Sequence, residues 1–132
     1  MGVDMRALVA DLAAESADLD RVLAALPDEA WAAPTPAAGW SVGDQVAHLA
    51  FFDEAATRAA LDPAGFRAQA EALTADGEDL VEGVTAAHRG RSPADLLDWL
   101  RTARAGYLRV FGGLDPATPL PWYGPPMSAA AR

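Results

Sequence analysis

Cysteine is absent from all 132 residues, which excludes disulfides, thiolate metal ligands and a cysteine nucleophile. Lysine is absent too, and the ten basic residues are all arginine. Neither a Schiff-base lysine nor the lysine of a phosphate loop can operate here. Together with the richness in Ala, Asp and Gly, this looks like GC-rich codon usage rather than a functional signal. No apolar run approaches the ~20 residues that a membrane-spanning helix needs, and no secretory leader pattern opens the chain. Met1-Gly2 is followed by Arg6 where a myristoylation motif wants Ser or Thr. Positive charge is scarce: 10 Arg against 19 Asp and Glu leave a net charge of −9, the wrong sign for neutralising nucleic-acid phosphates. A cytoplasmic domain with no nucleic-acid or membrane partner is the expectation. Period-two alternation is missing as well, so no sheet is expected. There is no Gly-rich phosphate loop after a strand, no Gly-x-Ser-x-Gly and no His-Glu-x-x-His.

What is present is helical patterning over a length that suits one domain, residues 1–132. Just over half the residues are hydrophobic (52%), many of them alanine, which favours helix and buries little area. Met5, Leu8, Leu12, Leu19, Val22, Leu23 and Leu26 recur at three- and four-residue steps, predicting an amphipathic helix from about Asp4 to Leu26 that Pro27 stops. Arg6, Asp11, Glu15, Asp18 and Arg21 fall on its wet side. Residues 28–38 read as a Pro- and Ala-rich connection in which Trp31 lids the core. Ser41 with Asp44 three residues on is a helix-start pattern, and the helix runs to about Leu61 before Asp62-Pro63. A weaker helix follows from Pro63 to about Ala75, broken by Asp76-Gly77, and a short one spans Glu78 to His88. Ser92-Pro93-Ala94-Asp95 is a second strong start. Leu96, Trp99, Leu100, Ala103, Tyr107, Leu108 and Phe111 then hold helical spacing up to Gly112-Gly113. Residues 114–126 hold five prolines and read as a long crossover. Ser128 reads as the cap of a new helix.

Few residues can carry chemistry. His48 lies at the edge of the apolar stripe Val42, Val46, Leu49, Phe52, Ala56 and Ala60; a lone histidine there is either structural or a ligand. Asp44, four residues away, is occupied by capping, and one His with one Asp falls short of the three or four ligands zinc wants. His88 beside Arg89-Gly90-Arg91 reads as a solvated cation favoured by a helix C-terminus. Asp53, near the stripe, reads as partly buried and hydrogen-bonded. Trp122-Tyr123-Gly124-Pro125-Pro126 is a rigid aromatic loop that either walls a pocket with Phe52, Tyr123 offering its hydroxyl, or caps the end of the bundle.

The run Gly39-Trp40-Ser41-Val42 with Asp44 and Ala47-His48-Leu49 resembles the signature of the DinB-like (DinB/YfiT-like) metal-binding four-helix bundles. Within them, the nearest branch is the N-terminal domain of mycothiol-dependent maleylpyruvate isomerase and its uncharacterised metal-binding relatives. Phe52-Asp53-Glu54-Ala55-Ala56, Ser92-Pro93-Ala94-Asp95-Leu96-Leu97 with Trp99, and Pro121 through Ser128 fit the same branch, so the resemblance covers almost the whole chain. It implies an all-α bundle holding one divalent metal, commonly zinc, with His48 as a ligand. The two other ligands, a Glu and a His four residues apart on the fourth helix, are expected beyond Arg132. Catalytic and other cofactor-binding residues stay unassigned. The implied partner is a low-molecular-weight thiol, and the implied role is a thiol-dependent transferase or isomerase domain. The alternative is a structural or dimerising module that has lost the metal site.

On this reading the bundle is cut at the start of its fourth helix, which leaves an apolar strip along three helices uncovered. Large exposed apolar patches mark interfaces or aggregation, so the 132-residue chain is expected to form a homodimer or to be marginally stable. Size-exclusion chromatography with light scattering checks this, and a monodisperse, cooperatively melting monomer is the opposing result.

Overall fold

A computed structural model describes residues 4–36, 39–75, 79–123 and 127–131. Five α-helices account for most of them: α1 (Met5–Ala25), α2 (Val42–Leu61), α3 (Pro63–Thr74), α4 (Leu80–His88) and α5 (Pro93–Phe111). Each begins where a short polar side chain can satisfy amide groups that a helix start leaves unpaired. The Asp4 carboxylate accepts from the Arg6 amide at 3.0 Å. Ser41 and Asp44 form a reciprocal capping box, with Asp44 N–H donating to Ser41 Oγ at 3.1 Å and Ser41 N–H to Asp44 Oδ2 at 3.0 Å. Asp62 ends α2 and caps α3 through the Gly65 amide at 3.1 Å. Asp79 caps α4, and Ser92 with Pro93 in the first turn starts α5.

The helix α2 is the hub. It shares its largest interface with α5 and also packs on α3, α4 and a short 3-10 turn at Asp28–Ala32. Its buried residues, Asp44, Val46, Ala47, Ala50, Ala55, Ala56 and Ala59, lie all round the helix rather than on one stripe, as befits an internal helix. On α5 the buried set is Leu96, Leu100, Ala103, Tyr107 and Phe111, one face at three- and four-residue steps. Trp31 is buried at 5% exposure and joins Leu23, Val46, Ala47, Leu96 and Leu100 in the core at one end. Met5, Ala56, Tyr107, Phe111 and Leu120 make the core at the other end.

Helix boundaries agree with the sequence reading to within about two residues; Asp76-Gly77 and Glu78 lie outside the described residues. Several expectations are corrected. Leu8 and Val22, assigned to the apolar face of α1, are 41% and 59% exposed, because α1 packs chiefly on α5 and only Met5 and Leu23 are buried. A small sheet does exist: Pro119–Leu120 (β1) pairs antiparallel with Met127–Ser128 (β2). Ser128 therefore sits in a strand and caps no α-helix, and Ala129–Ala131 form a 3-10 turn. The reason is local hydrogen bonding. The amides of Ala129 and Ala130 donate to the carbonyls of Thr118 and Pro116 at 2.9 and 3.1 Å, so the crossover supplies acceptors that a helix cap would otherwise provide.

These assignments predict graded costs in urea unfolding. Ser41→Ala should destabilise by about 1 kcal/mol through loss of the cap, and Phe111→Ala, truncating a fully buried ring, by about 3–5 kcal/mol. Val22→Ala should stay within ~0.5 kcal/mol.

Candidate functional site

The site is built outward from α2. His48 and Phe52 are one helical turn apart, so their side chains share a face, and their ring centroids are 4.7 Å apart. The Trp40 ring lies 5.3 Å from His48 on the other side. It is delivered by a turn in which Gly39 has φ +82°, a conformation that glycine adopts without strain. The turn is held by the Thr35 amide donating to the Trp40 carbonyl at 2.9 Å, and the indole N–H donates to Glu82 at 3.0 Å. Beyond Phe52 come Tyr123 and Trp122, at 5.7 and 6.3 Å. Phe66 of α3 stacks on Trp122 at 5.6 Å, nearly parallel, and meets Tyr123 at 5.0 Å. Aromatic pairs at such separations add directional attraction to their burial.

Two polar atoms in this enclosure are buried without a hydrogen-bond partner among the described residues: His48 Nδ1 and the Tyr123 hydroxyl. Burial pushes the His48 imidazole below its ordinary value of 6.5, which favours the neutral ring. Burial pushes the Tyr123 phenol up to about 12, against a smaller opposing effect of the Arg58 charge. A neutral imidazole with an unpartnered nitrogen suits metal ligation or a ligand hydrogen bond. It supplies one donor, however, and no group of three or more His, Asp or Glu able to hold an ion occurs among the described residues. Asp44 keeps to its capping box and faces Arg89 at 3.5 Å.

A second polar cluster lies one turn along α2. Asp53 pairs with Arg104 of α5, and Arg104 also donates to Ser16 Oγ of α1 at 2.9 Å. Desolvation raises the Asp53 carboxyl despite the opposing arginine. The pair borders a cleft of about 200 Å³ lined also by Phe52, Tyr107 and Trp122.

Of the residues singled out from sequence, His48, Phe52, Trp122 and Tyr123 are brought together; Gly124-Pro125-Pro126 lie outside the described residues. The alternative of a loop capping the bundle end is met in part, since Trp122 also packs on the Phe111 core. Asp53 is partly buried and paired, as expected. His88 is not the solvated cation expected of a helix end. It is partly buried, its ring 4.5 Å from Trp99, and burial with the nearby Arg91 charge lowers its pKa against a smaller opposing effect of Glu54. Three participants carry no sequence signal of this site. Trp40 and Phe66 reach the enclosure only through the packing of separate segments, and the partners of Arg104 lie on other helices.

Fold and site together define an all-α helical-bundle domain with one partly shielded histidine in an aromatic enclosure. The chain matches the mycothiol maleylpyruvate isomerase N-terminal domain family over residues 12–132, and it belongs to that family. Its relatives include uncharacterized proteins from two strains of Mycobacterium tuberculosis, each 42% identical over 124 residues. Those alignments cover 93% of this chain and 48% of the relative, so the chain spans about half the length of these relatives. No solved structure matches the chain. No described helix is long and apolar enough to cross a membrane.

The lowered imidazoles set a pH dependence. Both histidines hold protons less readily folded than unfolded, so the unfolded chain takes up more protons as pH falls through 6.5, and stability drops toward acid. The raised Asp53 acts oppositely at lower pH, where the folded chain protonates first. Urea midpoints should fall between about pH 7.5 and 5.5, by less in His48→Gln, and both imidazole protons should titrate below 6.5 by NMR.

Proposed function

We propose that this chain is the metal-holding helical domain of a thiol-dependent transferase or isomerase of the mycothiol type, working in the cytoplasm, with His48 as one metal ligand. One observation carries the reading: a buried, unpartnered His48 nitrogen on the central helix of a chain that belongs to the mycothiol maleylpyruvate isomerase N-terminal domain family. Zinc is the proposed ion, since imidazole nitrogen suits it. A divalent ion bound through His48 would supply Lewis acidity, which lowers the pKa of a thiol.

The chain's own residues do the remaining work. Phe52 and Trp40 flank the imidazole and limit its rotation. Burial keeps the ring neutral and so able to ligate. Phe52, Trp122 and Tyr123 wall the proposed substrate side and exclude water from it. A low-molecular-weight thiol is the proposed partner.

A second reading, a non-catalytic structural or dimerising module, is favoured by the lack of three gathered ligand side chains among the described residues. Titrating the isotopically labelled chain with zinc separates the two. The ligand reading predicts a zinc-dependent shift of the His48 imidazole nitrogens, none for His88, and loss of the zinc response in His48→Ala. An imidazole at 48 that ignores millimolar zinc would sink it.

A further inference from the structure

Two rings grip the His48 imidazole, and they reach it by different means. Phe52 is delivered by α2 itself, one turn along the same face. Trp40 lies outside the helix, and local contacts hold only its backbone. Gly39 turns at φ +82°, the Thr35 amide and hydroxyl donate to the Trp40 carbonyl at 2.9 and 3.0 Å, and Ser41 begins the capping box. None of these contacts reaches the indole, whose side-chain torsions stay open, the second of them broad. Among the described residues one hydrogen bond touches that ring. The indole N–H donates to Glu82 Oε1 at 3.0 Å, between residues 42 apart in the chain.

Glu82 stands in the first turn of α4, where a carboxylate is ordinarily explained by the unpaired amides of a helix start. Asp79 already fills that place, accepting from the Val81 and Glu82 amides at 2.9 and 3.3 Å. The Glu82 carboxylate turns to another segment instead. Its charge makes the bond stronger than one between neutral groups. The acceptor is also well founded, since α4 packs on α2 with Val84 and Thr85 buried. We propose that Glu82 is a positioning residue for His48: it holds the Trp40 indole against the imidazole and so fixes the direction in which the ring presents its buried Nδ1. Glu82 acts through Trp40 and is not itself a ligand. The assignment rests on reading His48 as the metal-binding side chain.

The full chain, Glu82→Ala and Glu82→Gln are compared by NMR, first without metal and then with zinc. Without metal, cross-peaks between the Trp40 indole and His48 ring protons should be strong in the wild type and lost in Glu82→Ala. They should persist in Glu82→Gln, whose amide oxygen still accepts. The zinc concentration that half-saturates the His48 nitrogen shift should rise about tenfold in Glu82→Ala, the low end for a partner one step removed from a ligand. In Glu82→Gln it should stay near the wild-type value. Trp40→Phe, which leaves α4 its full sequence, should raise it as well. Adding Glu82→Ala to Trp40→Phe should raise it no further, because both changes break one bond. Undiminished cross-peaks or an unmoved zinc midpoint in Glu82→Ala, a Gln variant that behaves like the Ala one, or a further rise in the double variant would each overturn the proposal. A wild-type His48 that ignores zinc counts against the metal reading, and the metal-free cross-peaks then still decide whether Glu82 positions the Trp40 ring.

Discussion

Alanine at positions 47, 50, 55, 56 and 59 lets α2 approach its neighbours closely on every side, and the remaining elements are arranged around that approach. Interhelical distance is set by the side chains at the contact, so small residues on α2 bring α5, α3 and α4 in tightly. Alanine contributes little buried area of its own. The hydrophobic stabilisation therefore falls on a few large groups inserted from outside, among them Phe66, Phe111 and Trp31. The same closeness fixes the axial position of His48 and Phe52, whose mutual spacing follows from the helix alone.

The helix α1 is held differently. Only two of its residues are buried, and its tie to the centre is partly polar, through Ser16 to Arg104 and onward to Asp53. A largely buried ion pair of this kind is weak evidence of added stability, because desolvating both charges offsets their attraction. The raised Asp53 carboxyl records the same balance, since desolvation of the charge outweighs the help of the arginine. The arrangement leaves Val9 and Leu12 partly uncovered and Leu8 and Val22 exposed.

Four separate segments feed the aromatic enclosure: the turn before α2, α2 itself, α3 and the crossover after α5. The crossover is positioned by two short strands and by carbonyls that accept from Ala129 and Ala130. Local backbone pairing between residues 116–120 and 127–130 thus decides where Trp122 and Tyr123 stand relative to His48. The proposed ligand face is a product of these contacts, and all its segments lie within residues 12–132, which match the family.

Periodicity, capping residues and prolines were enough to determine five helices and their ends, because those features act within a few residues of chain. They also determined that His48 and Phe52 share a face, and that Trp31 goes inside. They could not reveal that Ser128 pairs as a strand, since its partner Pro119 competes with helix capping only once the crossover folds back. Nor could they show Arg104 meeting both Asp53 and Ser16, or His88 packing at a tilt against Trp99. Pairings between distant residues leave no periodic trace in a single chain. The bundle was legible in the sequence because helix formation is local. Which polar atoms end up buried without partners was left to tertiary packing, because burial is a property of neighbours.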